Sequence, residues 1–304
     1  MISILTADDI PSSFVSSLLY GSLSTQNLRT SSSTILYTLF EENSTRTRES
    51  FKIASNILGI PVVDIETKTS SITKGESIQH TIETLANYSQ QSIFVIRAST
   101  RLQKFNIPNT SIINAGDGVN EHPTQALGDL LTIFKTVNTP FSQNFLQNIN
   151  ITICGDIENS RVARSNIKLL SRFGAKITLV APPHLLQQNT AKYYEQQYNC
   201  VVHRYITQKI IEKANFLMFL RTQTERNSQF IDVDVASFTL NDSNLHFLKP
   251  STFIMHPGPV NIGKELSHSA FYHKNSLINE QVKNALQARK ALISWIVSNG
   301  GIIG

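Results

Sequence analysis

Short apolar runs alternate with amphipathic stretches along most of this chain, and that alternation limits its fold more than any other feature. SIFVIR (92–97), TSIINA (110–115), NITICGDI (150–157), KITLVAP (176–182), NFLMFLR (215–221) and STFIMH (251–256) have the length and content of buried strands. Between them lie helical spacings: Phe51, Ala54 and Leu58; Ile78, Ile82 and Leu85; Leu127, Leu130, Leu131 and Phe134; Val162, Asn166, Leu169, Leu170 and Phe173. Gly59 and Gly174 stand where helix C-caps belong. Strands alternating with helices imply an α/β fold of doubly wound parallel sheets. A polar break, VNTPFSQNFLQN (137–148), separates two such series, so two domains joined by helices are expected. The stretch 278–296 reads as one last helix with Val282, Leu286, Ile293 and Ile296 on one face.

With 304 residues, 40% apolar and 16% charged, the chain can bury substantial cores and is too apolar to be disordered. No run of 18 or more apolar residues occurs, so no membrane span is expected. The start, MISILTADDI, carries Asp8 and Asp9 and no basic region, which argues against a signal peptide. Two cysteines, Cys154 and Cys200, are too few for a four-cysteine zinc cluster or a disulfide framework. Their apolar surroundings read as buried thiols, and a reducing cytoplasm fits. The net charge of +5 comes from 27 basic and 22 acidic residues, with no basic run of five. Nucleic-acid binding is therefore not expected; scattered single arginines favour discrete anion contacts.

Residues 40–51, FEENSTRTRESF, place Ser44, Thr45, Arg46 and Thr47 together, and a helix is expected to begin near Thr47 and to end at Gly59. Unpaired N–H groups and the helix dipole favour an anion there. The hydroxyls add donors, and Arg46 adds a planar fork suited to phosphate oxygens. It is no Walker loop, because the chain has no G-x-x-x-x-G-K-[ST]. An ordinary Ser/Thr cap with solvated arginines fits the same residues.

In AGDGVNEHPTQALGDL (115–130), Pro123 suits a first helical turn and puts His122 near the N-cap. The positive helix end disfavours imidazolium, so a neutral His122 can donate to an oxygen, and Gln125 can bond an amide. A histidine that merely caps its helix is the alternative. KTSSITKGES (68–77) brings Lys74 in a Gly/Ser loop, either a lid delivering a cation or a plain solvated loop. Arg97 and Arg221 follow apolar strands and Arg161 lies in the turn after ITICGDI, all near strand carboxyl ends where ligands of open parallel sheets bind. Any one of them alone could be a solvated loop residue.

FEENSTRTRESF, SSITKGES (70–77), HPTQALGDL (122–130), RTQTER (221–226) and HPGPVN (256–261) together resemble the aspartate/ornithine carbamoyltransferases, in the right order over nearly the whole chain. HPGP in place of His-Cys-Leu-Pro, the lysine-bearing KGES loop and RTQTER are features of the aspartate type. The resemblance implies transfer of the carbamoyl group of carbamoyl phosphate to the α-amine of L-aspartate, in pyrimidine biosynthesis, without metal or organic cofactor. It implies that Ser44, Thr45, Arg46 and Thr47 hold the phosphate. Arg97, His122 and Thr47 would polarise the carbonyl, and Gln125 would hold the amide. Arg161, Arg221 and Gln223 would grip the aspartate carboxylates, and Gly258 and Pro259 would close over the substrates, carbamoyl phosphate included, by backbone contacts. Ser70 and Lys74 would come from a neighbouring subunit of a homotrimer with shared active sites, and separate regulatory or dihydroorotase chains are possible partners. The domains would be 1–137 for carbamoyl phosphate, with 280–304 returning to it, and 138–279 for aspartate. A carbamoyltransferase for another amino acid such as ornithine, or a silent scaffold in a pyrimidine-enzyme assembly, remain alternatives. Two departures stand out: Ile262 follows Asn261 where the family often has arginine, and NSQFIDVDVASFTL (227–240) lacks the Glu-Tyr and Tyr-Gly pairs common in the family there.

Overall fold

A computed structural model describes residues 2–21, 33–66, 75–221 and 235–299. The strands are β1 (Ser3–Ile4), β2 (Thr34–Phe40), β3 (Val62–Ile65), β4 (Gln91–Ala98), β5 (Thr110–Asp117), β6 (Asn150–Cys154), β7 (Lys176–Val180), β8 (Val201–His203), β9 (Phe216–Phe219) and β10 (Phe253–Met255). The α-helices are α1 (Ser12–Leu19), α2 (Thr45–Ile57), α3 (Ile78–Ala86), α4 (Pro123–Val137), α5 (Arg161–Arg172), α6 (Gln188–Tyr198), α7 (Gln208–Lys213), α8 (His268–Phe271) and α9 (Ile278–Asn299). They form two compact units, one running up to Lys135 and resuming at Lys283, the other Thr136–Val282.

Each unit holds one all-parallel five-stranded sheet, as the alternation of strands and helices predicts. The first has the order β1-β5-β4-β2-β3 and the second β10-β9-β6-β7-β8. Their central strands are buried at nearly every position, which is why they read as unbroken apolar runs. In the first unit Tyr37 stacks on Phe94 at 4.7 Å within a cluster that includes Leu39, Ile82, Ile96 and Ile112. Each such side chain contributes about 1.5–3 kcal/mol by leaving water. In the second, Phe141 and Phe145 of the polar stretch 137–148 pack on Phe173 beyond α5 and anchor that stretch.

Several boundaries differ from expectation. The helix expected near Thr47 starts at Thr45, because Ser44 already takes the non-helical N-cap position. Gly59 and Gly174 lie one residue beyond the C-caps Leu58 and Phe173, at φ +73° and +87°, the left-handed turn that glycine adopts without strain.

The buried face of α9 also needs correction. Val282 is exposed and Leu286 half-buried, while Gln281, Asn284, Ala285, Ala288, Arg289, Leu292, Ile293 and Ile296 are buried. From Lys283 onward α9 packs on α4 of the first unit, as the returning helix was expected to do. Close packing at small residues sets that face: Ala285 lies against Gly128, and Asn284 bonds Thr132 at 3.1 Å and accepts from Lys135 at 2.8 Å.

Cys154 and Cys200 are free and buried, as expected. Burial pushes both thiols up, and Cys200 reaches about 12, with Glu195 adding to its rise. A thiol raised in the folded state stabilises the fold fully below its unfolded pKa and loses that contribution as pH rises towards the folded value. Unfolding free energy is therefore expected to fall above pH ~9 by about 1.4 kcal/mol per pH unit for each thiol. Denaturant titrations at pH 8 and 10 on the protein and a Cys154→Ala, Cys200→Ala variant test this; equal pH slopes would refute it.

Candidate active site

In the first sheet the chain leaves β2 towards β3 on one side and places β4 on the other, so the topological switch point lies between β2 and β4. Ligands of open parallel sheets bind outside strand carboxyl ends at such a point. Residues 41–47 follow β2, Arg97 is the penultimate residue of β4, and His122 and Gln125 follow the neighbouring β5. One short edge of the sheet thus carries the described first-unit residues that the motifs single out.

Ser44 is the N-cap of α2, and its side chain makes no capping hydrogen bond. Arg48 N–H makes the first helical bond, to Ser44 at 3.1 Å, so the N–H groups of Thr45, Arg46 and Thr47 have no intrahelical acceptor. Thr45 and Arg46 are exposed and Thr47 is buried. Arg48, two residues on, has different work: its guanidinium lies over Phe40 at 5.2 Å, and Nε is 3.9 Å from Asp64. Of the two arginines, Arg46 is exposed at the helix start and Arg48 is fastened to the sheet.

Arg97 forms an ion pair with Glu42 at 3.3 Å and donates to the Ala115 carbonyl at 3.4 Å. Glu41 accepts from Ser99 N–H at 2.7 Å and binds the loop after β2 to the end of β4. Neither glutamate was singled out in the sequence, although both stand inside FEENSTRTRESF. The signal was their place immediately beside the arginine cluster.

His122 caps α4, its carbonyl accepting from Gln125 and Ala126 at 3.0 and 3.3 Å, with Pro123 as the first helical residue. Its ring is buried, with Nδ1 3.4 Å from the Thr124 hydroxyl. When that hydroxyl donates, the ring proton sits on Nε2, the form that donates to a carbonyl oxygen. The preceding loop is braced by buried carboxylates: Asp117 accepts from Leu102 and Glu121 N–H, and Glu121 accepts from Ala7 N–H at 2.8 Å. Gln125 donates its side-chain NH2 to Asp129 at 2.9 Å.

In the second sheet the switch point lies between β6 and β9. Arg161 is the first residue of α5, behind the N-cap Ser160, whose hydroxyl accepts from Ala163 N–H at 3.1 Å. Arg161 thus opens a helix instead of standing in a turn, because Ser160 caps one residue earlier. Arg221 follows β9 by two residues, and Gly258 and Pro259 follow β10, the next strand. All four leave the carboxyl ends of adjacent strands. His256 shapes the last loop: its N–H donates to Gln281 at 2.8 Å, and its Nδ1 accepts from Gly258 N–H at 2.8 Å. Asn261 is held by Glu265, and Ile262 is exposed. Ser70, Lys74 and Gln223 lie outside the described residues. Among the described residues no group of three or more His, Cys, Asp or Glu is arranged around a common metal position.

Polar and cationic groups at the switch points of two parallel sheets are the layout of a two-domain α/β enzyme that handles anions. Sequence models of the aspartate/ornithine carbamoyltransferase carbamoyl-phosphate-binding domain and Asp/Orn-binding domain match residues 4–135 and 147–296. The chain belongs to the aspartate/ornithine carbamoyltransferase family. It is 40% identical to the aspartate carbamoyltransferase catalytic subunit of Ehrlichia chaffeensis, over 99% of this chain and 98% of that one. The corresponding subunit of Staphylococcus saprophyticus is 36% identical, over 86% and 85%. Among solved structures, aspartate transcarbamoylase from Trypanosoma cruzi with carbamoyl phosphate matches at a TM-score of 0.82 and 29% identity, over 96% and 94%. The same enzyme with carbamoyl aspartate and phosphate matches at 0.79.

Proposed function

We propose that this chain transfers the carbamoyl group of carbamoyl phosphate to the α-amine of L-aspartate, giving N-carbamoyl-L-aspartate and phosphate. One observation carries the reading: the start of α2, Arg97, His122 and Gln125 follow or end neighbouring strands at the switch-point edge of one sheet, in a family whose aspartate-type members include relatives 40% identical to this chain. Ser44, Thr45, Arg46 and Thr47 hold the phosphate with helix-end N–H groups, hydroxyls and a guanidinium. Arg97, His122 and Thr47 polarise the carbonyl, and Gln125 reads the amide. Arg161, Arg221 and Gln223 bind the aspartate carboxylates, and Gly258 and Pro259 add backbone contacts.

The aspartate amine attacks the carbamoyl carbon, the carbonyl electrons move to oxygen, and the tetrahedral intermediate collapses by expelling phosphate. The leaving phosphate can accept the amine proton. Phosphate is already a good leaving group, so the protein contributes positioning and stabilisation of the developing oxyanion. Two polyanions repel in water, and the arginines offset that repulsion. The product would put the chain in pyrimidine biosynthesis, and the two free thiols agree with a cytoplasmic setting.

The reading includes a homotrimer in which Ser70 and Lys74 serve a neighbour's site, as a head-to-tail ring permits; regulatory or dihydroorotase chains would add to it. Carbamoylation assays with aspartate and with ornithine, alongside mass by light scattering, test it: turnover with aspartate and a trimer mass are expected. Lys74→Ala and His122→Ala chains should each be nearly inactive, and a dissociated and reassembled mixture should regain activity. Turnover with ornithine alone would overturn the substrate assignment. A mixture that stays inactive although hybrid trimers form would overturn site sharing.

A further inference from the structure

Beneath the first-unit site lie two buried charged residues to which the sequence motifs assign no role. Asp129, on α4, has no solvent exposure. Arg289, on α9 and 160 positions further along the chain, is 4% exposed and lies over the Phe51 ring at 5.3 Å. Gln125 donates its NH2 to Asp129 at 2.9 Å. Arg289 Nη1 donates to the Ser50 hydroxyl, which donates in turn to the Thr47 carbonyl at 2.9 Å. One guanidinium thus fastens α9 to the helix turn that holds the phosphate, within the electrostatic reach of Asp129.

A side-chain amide has two ends of nearly the same shape, and recognition depends on which end faces the ligand. A carboxylate only accepts, so the end of Gln125 that meets Asp129 must be its NH2. Its Oε1 is then the end left for a ligand N–H donor. We infer that Asp129 is a positioning residue that fixes the side-chain amide of Gln125 so that the site prefers a carbamoyl NH2 over a group that cannot donate, with Arg289 as its counter-charge. The inference rests on the function proposed above.

The cost of holding Arg289 in place is visible in its own ionisation. Burial pushes the guanidinium down to about 10; Asp129 opposes the drop, and Arg46 adds to it. A buried charge kept at such a cost needs a partner, and Asp129 is the acid that favours its charged form.

Acetyl phosphate is the probe, because it differs from carbamoyl phosphate by a methyl in place of the NH2. Its inhibition constant against carbamoyl phosphate, divided by the dissociation constant of carbamoyl phosphate, measures how well the amide is read. The wild-type ratio should be at least about tenfold. Asp129→Asn, which lets the facing pair of amides reverse, should lower that ratio about tenfold while acetyl phosphate affinity stays within about threefold. A ratio unchanged in Asp129→Asn overturns the inference. So does a wild type that binds carbamoyl phosphate without preferring it, whereas a wild type that transfers no carbamoyl group overturns the proposed function itself. If Asp129→Asn fails to fold by circular dichroism, Arg289→Met gives the same reading. That change removes the charge that favours an ionised, acceptor-only Asp129, so the ratio should fall, and an unchanged ratio refutes the inference.

Discussion

Arg46→Ala is expected to lower kcat/KM for carbamoyl phosphate by ~10^2–10^3-fold, a loss of about 3–4 kcal/mol of transition-state stabilisation. Arg46 is exposed, one residue inside α2, where the helix-end N–H groups and the three hydroxyls of Ser44, Thr45 and Thr47 are gathered. Its fork supplies two directed donors to phosphate oxygens whose charge grows as the bond to the carbamoyl carbon breaks. The fold should survive, because Arg48, not Arg46, stacks on Phe40 and pairs with Asp64. Arg46→Lys should recover only part of the loss, since an ammonium keeps the charge and gives up the fork. Steady-state kinetics with a far-ultraviolet spectrum checks all three expectations. A folded Arg46→Ala enzyme within tenfold of wild type would remove Arg46 from the phosphate site.

The other large effect concerns stability. A Cβ built on Gly128 would lie 2.8 Å from Ala285 Cα and 2.9 Å from its Cβ, so α9 would have to move. Gly128→Ala regains up to ~1 kcal/mol of helix propensity against an overpacking cost of ~1–3 kcal/mol, and should be mildly destabilising. Gly128→Val adds two methyl groups and a poorer helix former, and should lower the melting temperature by roughly 5–10 °C. Displacing α9 also disturbs the Lys135–Asn284 and Asn284–Thr132 bonds, and it withdraws Arg289 from Ser50. Activity should therefore fall more than melting alone explains. Calorimetry and kinetics on both variants test this, and a Gly128→Val protein that melts with the wild type would show that the helices can separate freely at this point.

Most of the sheet-forming order was legible because each signal is local. A strand buried on both faces has to be apolar at successive positions, as SIFVIR and NFLMFLR are, and a helix lying on the sheet has to be apolar at every third or fourth. TILYTLF (34–40), the central strand β2, carries the same signal and was passed over beside the arginine cluster it introduces. The short edge strands β3 and β8 were missed for a physical reason: half-exposed, with patterns of partial burial, they carry no continuous apolar run. The first-unit site residues were legible because hydroxyls, a helix start and an arginine fall within a few consecutive positions. Glu42 and Asp129 were not, since a carboxylate near a helix looks the same in sequence whether water or a guanidinium faces it.

The sequence by itself determined the parallel α/β class, the positions of the site motifs, the buried thiols and the membership that those motifs imply. Only the tertiary structure decided that α2, β4 and α4 meet at one switch point, because strand order is set by which edges pair and not by any one segment. It also decided which face of α9 is buried. Periodicity of large apolar residues selected Val282 and Leu286, yet Ala285 and Asn284 occupy the contact, since a helix that approaches Gly128 closely has room only for small side chains there. Small and polar residues on a helix read as a solvated face until a partner more than 150 positions away is brought against them.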